Sequence, residues 1–569
     1  MMRPSSSARS RFRAQRLRLR GLLLSALLGA TAVSLSACKK GQASHSPEQT
    51  APVPTLRLYA LAGAAGAVEP CGCVKDMLGG VDHVAAFIAR EVKKAPHSLV
   101  VGAGPMFFEN PTVQPEERAQ QLFKAEAMAQ SLADIGLVAW APGANDWALG
   151  TADFVRLCNQ TGAKALAANL RDPTGTVVRA QVVRRGELSI GLIGISIPTL
   201  PATAGPGTLS AAASAQPPAT FTLDPAEAAL GRELEQLKDT AINVALIAAP
   251  RGEALRIVER LGRGPRPLQV AILGKPYDQG ENNDVPISAE VIENTLVVQA
   301  PNHLQSIAVI DLYVRDGTGH FADGTGLLAH EGRLQLEARI DELSHRIERW
   351  KAPSSGVSQK DIAAQEAQLR TLRDERAALR PIVTPESGSY FLYDLVQVKE
   401  GLGQEPKVSA RLSAYYQRVN EHNRVAFAEH KPAPANPGEP SFVGIDSCTN
   451  CHLEERVFWN STGHAHAYVT LESAHKEYNL DCVGCHVTGY ELPGGSTVTH
   501  VAPLKAVQCE VCHGPGSLHV EDPTKDGTIK AMPSRSLCAS ACHHPPHVGA
   551  DWSVDVAWPQ ILGKGHGMK

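Results

Sequence analysis

From Thr55 onward, short apolar runs alternate with stretches in which apolar residues recur every three to four positions. Leu56–Leu61, Ser98–Val101, Leu137–Ala141 and Ala163–Ala168 have the length and apolar content of buried strands. Between them, Gly79–Lys94, Glu116–Leu132 and Thr151–Gln160 carry the helical period. Gln181–Arg185 and Leu188–Ile195 predict a hairpin about Gly186. The alternation resumes with helices over Ala226–Asp239 and Glu253–Leu261, and strands over Asn243–Ala249, Leu268–Leu273, Leu296–Gln299 and Ser306–Val314. Such a pattern predicts an α/β sandwich over residues 55–315. Within it, residues 201–218 are rich in Ala, Gly, Ser and Pro and read as a disordered surface loop.

The pattern then changes. Residues 316–330 are Gly- and Asp-rich turns. Leu336, Ile340, Leu343, Ile347 and Trp350 form one apolar stripe. Ile362, Leu369, Leu372 and Leu379 form another, with Ser358 as cap and Pro381 as terminator. Together they predict a helical hairpin, a spacer packing on its own domain or a docking element. A strand over Tyr390–Val398 and a helix over Val408–His430 follow, and the Pro-rich residues 431–441 mark a boundary at 440. Residues 316–440 are accordingly expected to form a hairpin and connector.

At the other end, Arg-rich residues 3–20 precede an apolar run from Gly21 to Ala37. Leu35-Ser36-Ala37-Cys38 resembles a bacterial lipoprotein cleavage box, which implies a signal peptide over 1–37 and lipidation of Cys38. An ordinary signal peptide or an anchor helix is the alternative. Lys39 and Lys40 after the cysteine, by the same resemblance, lean towards the outer membrane, and residues 38–54 read as a tether. Removing the seven Arg of the leader leaves 48 basic against 58 acidic residues, a net of −10. That charge argues against nucleic acid as a partner. Charged residues at 20% and hydrophobic residues at 43% place the chain among globular proteins.

The cysteines are distributed unevenly. Of twelve, eight fall after residue 440, in Cys448-Thr-Asn-Cys451-His452, Cys482-Val-Gly-Cys485-His486, Cys509-Glu-Val-Cys512-His513 and Cys538-Ala-Ser-Ala-Cys542-His543. Two thiols at this spacing reach the two vinyl groups of one porphyrin, and the adjacent His reaches its iron. Four c-type haems are therefore expected over residues 441–569, with His452, His486, His513 and His543 as proximal ligands. The fourth motif has one extra residue, and a disulfide is its rival reading. With so many porphyrins in so short a segment, the haems themselves would form the core, joined by short helices and irregular chain.

Two family resemblances add to this. Trp459-Asn-Ser-Thr-Gly-His464-Ala-His466-Ala-Tyr468, the second and third motifs with their trailing Gly489 and Gly516, and His519 are similar to the tetrahaem cytochromes that relay electrons from hydroxylamine oxidoreductase. That likeness implies distal His ligands drawn from elsewhere in the segment. The candidates are His464, His519 and His547, with His466, His475, His500 and His566 in reserve. Glu69-Pro-Cys71-Gly-Cys73, Gly102–Phe108, Gly143–Gly150 and Ala167–Asn169 resemble, in that order, the 5′-nucleotidase-like metallophosphoesterases. Where that family holds two metal ions, this chain has Gly63, Ala65, Pro105, Ala144-Asn145-Asp146 and Gly274-Lys275-Pro276-Tyr277. No dinuclear metal site and no phosphohydrolase activity are expected. Cys71 and Cys73 are a candidate redox or metal-binding pair, or else separate structural thiols or a disulfide to a distant partner such as Cys158.

The fold expectation is thus multidomain: a metallophosphoesterase-like α/β sandwich, a helical hairpin, then a mostly helical or irregular multihaem cytochrome c domain. The functional expectation is an exported, lipid-anchored electron carrier facing the periplasm or cell surface. Its partners would be other redox proteins, and the phosphoesterase-like domain would serve docking or binding. Two alternatives stand beside it. One is an oxidoreductase acting on a small nitrogen or sulfur compound at an open haem. The other is a redox-wired ligand-binding protein.

Overall fold

The computed structural model describes residues 52–70, 78–172, 175–197, 222–264, 266–274, 287–351, 357–379, 385–544, 548, 552–563 and 566. Expectations for the leader, Cys38, Cys71, Cys73, the 201–218 loop, Lys275-Pro276-Tyr277 and His547 lie outside these residues. Val53–Lys569 forms one compact unit.

Its strands are β1 (Leu56–Ala62), β2 (Ser98–Ala103), β3 (Leu137–Ala141), β4 (Lys164–Leu166), β5 (Leu170–Arg171), β6 (Val177–Val178), β7 (Ala180–Arg185), β8 (Leu188–Ser196), β9 (Thr222–Leu223), β10 (Ile242–Ala248), β11 (Val270–Gly274), β12 (Glu290–Ile292), β13 (Thr295–Val298), β14 (Ser306–Tyr313), β15 (Ala322–Asp323) and β16 (Tyr390–Gln397). The major helices are α1 (Val81–Glu91), α2 (Arg118–Ile135), α3 (Thr151–Thr161), α4 (Ala226–Gln236), α5 (Arg251–Gly262), α6 (Leu327–Lys351), α7 (Gln359–Ala378) and α8 (Pro406–Ala426). One large sheet runs β15-β16-β14-β1-β2-β3-β4-β6, a second β12-β13-β11-β10-β8-β7, and β5 pairs with β9 in a two-stranded ribbon.

Alternation within single strands explains the layering. Leu56, Leu58, Ala60 and Ala62 of β1 meet Leu192, Val244, Leu246 and Ile272 between the sheets. Tyr59 and Leu61 point the other way, onto α1, α2 and α8. On the far side Ile193, Ile195, Ala245 and Ile247 pack on α4 and α5. Because successive side chains take opposite faces, strands apolar on both faces need cover on both. The result is a four-layer helix–sheet–sheet–helix sandwich. The predicted hairpin pairs Arg185 with Leu188, with Gly186 at φ +55° in its turn. The strands β6 and β12, of two and three residues, are too short to show a period and were not expected.

The boundary expected at 315/316 falls inside this sandwich. β16 pairs with β14 along its whole length, from Ser306 opposite Gln397 to Tyr313 opposite Tyr390. Val408, Leu412, Tyr415, Tyr416 and Val419 of α8 join the core beneath α1 and α2. The helical hairpin is therefore an insertion between two neighbouring antiparallel strands. Its seam closes on itself, with Ile340, Leu343 and Ile347 against Ile362, Leu369 and Leu372. Ser358 caps α7 by accepting from the Asp361 N–H at 3.2 Å.

After Pro440 the chain changes character. Short helices carry the cysteine motifs: α9 (Ile445–Thr449), α10 (Leu453–Trp459), α11 (Gly463–Ser473), α12 (Leu480–Val483), α13 (Cys509–His513), α14 (Ser517–Glu521) and α15 (Ser536–Ala541). Their buried apolar cluster is small: Tyr468, Val483, Val487, Val498, Val501 and Ala506. Meanwhile Leu453, Val457 and Val469 stand exposed. No helix among the described residues is long and apolar enough to cross a membrane.

Candidate haem centre

Each motif sits on a short helix or turn, which keeps its two cysteines and its His close along the chain. In the first, the His452 N–H bonds the Cys448 carbonyl at 2.9 Å. In the fourth, the His543 N–H bonds the Cys538 carbonyl at 2.8 Å. The additional residue is absorbed by widening the turn by one position, so the His returns to the carbonyl of the first Cys in both. All eight motif cysteines are thiols, and Cys538 and Cys542 are not joined to each other. The motifs converge in pairs. The thiols of Cys448 and Cys509 lie close enough to interact, and Cys485 Sγ lies 3.8 Å from the Ala541 carbonyl.

The imidazoles carry the more telling geometry. His452 faces His519 with ring centres 6.5 Å apart and planes 29° from parallel. His513 faces His566 at 6.2 Å and 29°, and His543 faces His464 at 6.3 Å and 54°. With metal–nitrogen bonds of about 2.0–2.1 Å, and about 1.1 Å more from nitrogen to ring centre, two imidazoles sharing one metal have centres about 6.2–6.4 Å apart. All three separations fall on or beside that range.

Hydrogen bonding prepares the rings for the same task. His513 Nδ1 donates to the Lys530 carbonyl at 2.6 Å. His486 Nδ1 donates to the Ala467 carbonyl at 2.5 Å. A ring tied through Nδ1 presents Nε2 as a lone-pair donor. Burial lowers the His464 imidazole, helped by His543. Burial likewise lowers His566, helped by His513. Neutral imidazole is the form that binds a metal. Trp552 stacks on His543, centres 4.8 Å apart and planes 2° from parallel. The residues present thus fit haem iron.

His464 and His519, expected as distal ligands, are each found opposite a motif His. His566 was only a reserve, and nothing in its local sequence distinguishes it. His466 and His475 are exposed, and His500 Nδ1 lies 3.1 Å from Thr499 Oγ1.

A second set of residues has no sequence motif at all. The stretch leading into Cys482 is held by the sandwich. Buried Gln120 on α2 donates to Asn479 at 3.1 Å and accepts from the Leu480 N–H at 2.9 Å. Asn423 on α8 donates to Gln120 at 2.9 Å and to the Tyr478 carbonyl at 2.8 Å. Lys124 pairs with Asp481 at 2.8 Å. Glu69 accepts from Lys476 at 2.6 Å and from the Tyr416 hydroxyl at 2.9 Å. Burial would lower the Lys124 ammonium, yet the Asp481 carboxylate holds it above the ordinary lysine range.

At the strand ends where no dinuclear centre was expected, backbone packs closely around the glycines. A Cβ on Gly274 would lie 2.0 Å from the Ala103 carbonyl, and one on Gly104 would lie 3.3 Å from the Gly274 Cα and the Gly63 nitrogen. The Asp146 carboxyl accepts from the N–H groups of Met106, Phe107 and Gly143 at 2.8–3.0 Å. Burial pushes it up to about 7, against the pull of those three donors. Asn145 donates to the Phe108 and Glu109 carbonyls.

Residues 447–514 match the family Cytochrome c554 and c-prime. That cytochrome c554 segment contains the first three motifs and His464. Cytochrome c-554 of Nitrosomonas europaea is 36% identical over 134 residues, covering 18% of this chain and 57% of that protein. The chain therefore spans little more than half the length of this curated relative. A 5′-nucleotidase precursor from Thermus thermophilus is similar at 15% identity and a TM-score of 0.42, over 77% of this chain and 71% of that one. The calcineurin-like phosphoesterase YfkN from Bacillus subtilis is similar at 13% identity and a TM-score of 0.37, over 47% of this chain and 88% of that one. The cytochrome c554 match and the Cys-x-x-Cys-His motifs within it imply c-type haem with iron in this region.

Proposed function

We propose that this chain is an exported, lipid-anchored electron carrier holding four c-type haems. The carrying observation is the set of three His pairs at iron-spanning separation, each containing one motif His. When bound, haem iron supplies one-electron chemistry by moving between ferric and ferrous states. In this reading the eight motif cysteines anchor the porphyrins. His452 with His519, His513 with His566 and His543 with His464 would hold the iron. The carbonyls of Ala467 and Lys530 orient the rings of His486 and His513. Iron held between two imidazoles has no position for substrate, which favours electron relay over catalysis at those three sites. No catalytic residue is assigned.

In this reading the Arg-rich leader and the cleavage-box-like run ending in Cys38 support an exported, lipid-anchored protein that would exchange electrons with other redox proteins outside the cytoplasm. The sandwich is proposed to be silent towards phosphate esters. Backbone of Gly63, Ala103, Gly104 and Gly274 occupies the strand ends, and Asp146 is committed to three N–H donors. Haem content per chain and visible spectra of the mature protein test the proposal. Four haems with mainly low-spin signals, reduced and reoxidised without turnover of phosphate esters, are expected. Fewer than three haems, or phosphatase activity with added manganese or zinc, would overturn it.

A further inference from the structure

The junction between the sandwich and the second motif holds a charge that docking alone does not require. Lys124 projects from the middle of α2 and is only 8% exposed. It passes the backbone of Gly66, near the end of β1, and ends on Asp481 at 2.8 Å. Asp481 directly precedes Cys482, and its own carboxylate is 38% exposed. Burying an ammonium costs several kcal/mol unless a partner offsets it, and an apolar pair of the same size docks as well or better. Around Lys124, uncharged groups already fasten this stretch: Gln120, Asn423 and Asn479 exchange three hydrogen bonds, two of them buried and one partly buried, among themselves and with the Leu480 N–H. The remaining charges in reach are acidic or weakly basic: Glu109, Glu117 and His303. Among the described residues Lys124 is the ammonium that pairs with Asp481, beside the residue that anchors the second haem, while Lys476 pairs with Glu69.

We propose that Lys124 of the sandwich sets the reduction potential of the second haem, by compensating the Asp481 carboxylate that abuts Cys482. This rests on the haem assignment above. A carboxylate next to a porphyrin favours the ferric state, because the oxidised centre carries one more positive charge. Neutralising that carboxylate with a fixed ammonium removes the bias, and low local dielectric strengthens both effects. Lys124 is then a positioning and tuning residue acting through Asp481, and the sandwich is part of the haem site and not merely its neighbour.

The experiment is a potentiometric titration, followed by visible absorbance, of the full mature chain and of Lys124→Met, Asp481→Asn and the double variant. Haem content and spectra are recorded first. A wild-type chain without haem would sink the haem assignment, whatever Lys124 does. With haem present, Lys124→Met is expected to move one of the resolved one-electron waves to lower potential, by about tenfold in the reduction equilibrium, or about 59 mV. Asp481→Asn should move the same wave upward, and the double variant should return it to within about threefold of wild type, which a merely structural role would not do. The proposal is overturned if no wave moves, if all waves move together, if the two single variants move the wave in the same direction, or if the double variant stays about tenfold or more from wild type.

Discussion

Replacing His519 with alanine tests the ligand geometry most directly. The His452 and His519 rings stand 6.5 Å apart, close to the separation that one shared iron imposes, and alanine ends a full ring short of that position. One axial bond is lost at the first haem and none elsewhere. With four haem motifs, about a quarter of the haem absorbance should pass from low-spin to high-spin form. The ferrous variant should bind one more carbon monoxide per chain than wild type, and added imidazole should reverse the change by filling the vacated space. His519 lies on the five-residue α14, so its loss leaves the sandwich core untouched. Exposed His466 and His475 serve as controls, and their alanine variants should match wild type. Carbon monoxide stoichiometry unchanged by His519→Ala would refute the reading that these paired rings flank iron.

Three further outcomes follow from the packing. Gln120→Leu leaves the Leu480 N–H and the Asn423 and Asn479 amides without their buried partner, and should lower stability by about 2–4 kcal/mol in urea denaturation. Gly274→Ala would place a methyl 2.0 Å from the Ala103 carbonyl, and should cost about 3 kcal/mol by the same assay. An unchanged midpoint would show that the strand ends have slack. Asp146 has a folded-state pKa raised from 3.8 to about 7, so its stabilising contribution is full below pH 3.8 and declines as pH rises towards 7. Relative to Asp146→Asn, the wild type should therefore lose about 2–3 kcal/mol between pH 5 and pH 7, at about 1.4 kcal/mol per unit. A gap that stays constant over that range would mean that the three N–H donors outweigh burial.

Much of this protein was decided locally, and local decisions are readable in one dimension. Strands such as β3 and helices such as α3 follow from the period of their own apolar residues, and their bounds were anticipated to within a residue. The cysteine motifs are equally local, because both thiols and the proximal His must fit one turn of chain around one porphyrin. The fourth motif shows the same rule bending, with an added residue taken up by a wider turn that ends on the same carbonyl. Tertiary structure decided what depends on partners far away in the chain. β16 belongs to the first sheet because it pairs with β14 across a hairpin insertion, and no periodicity records which strand a strand will choose. His566 faces His513, and Lys124 meets Asp481 across 357 positions, because folding brings them within a few ångströms. A single histidine or a buried lysine carries no pattern of its own. Its role is a distance to another residue, and that distance exists only once the chain has folded.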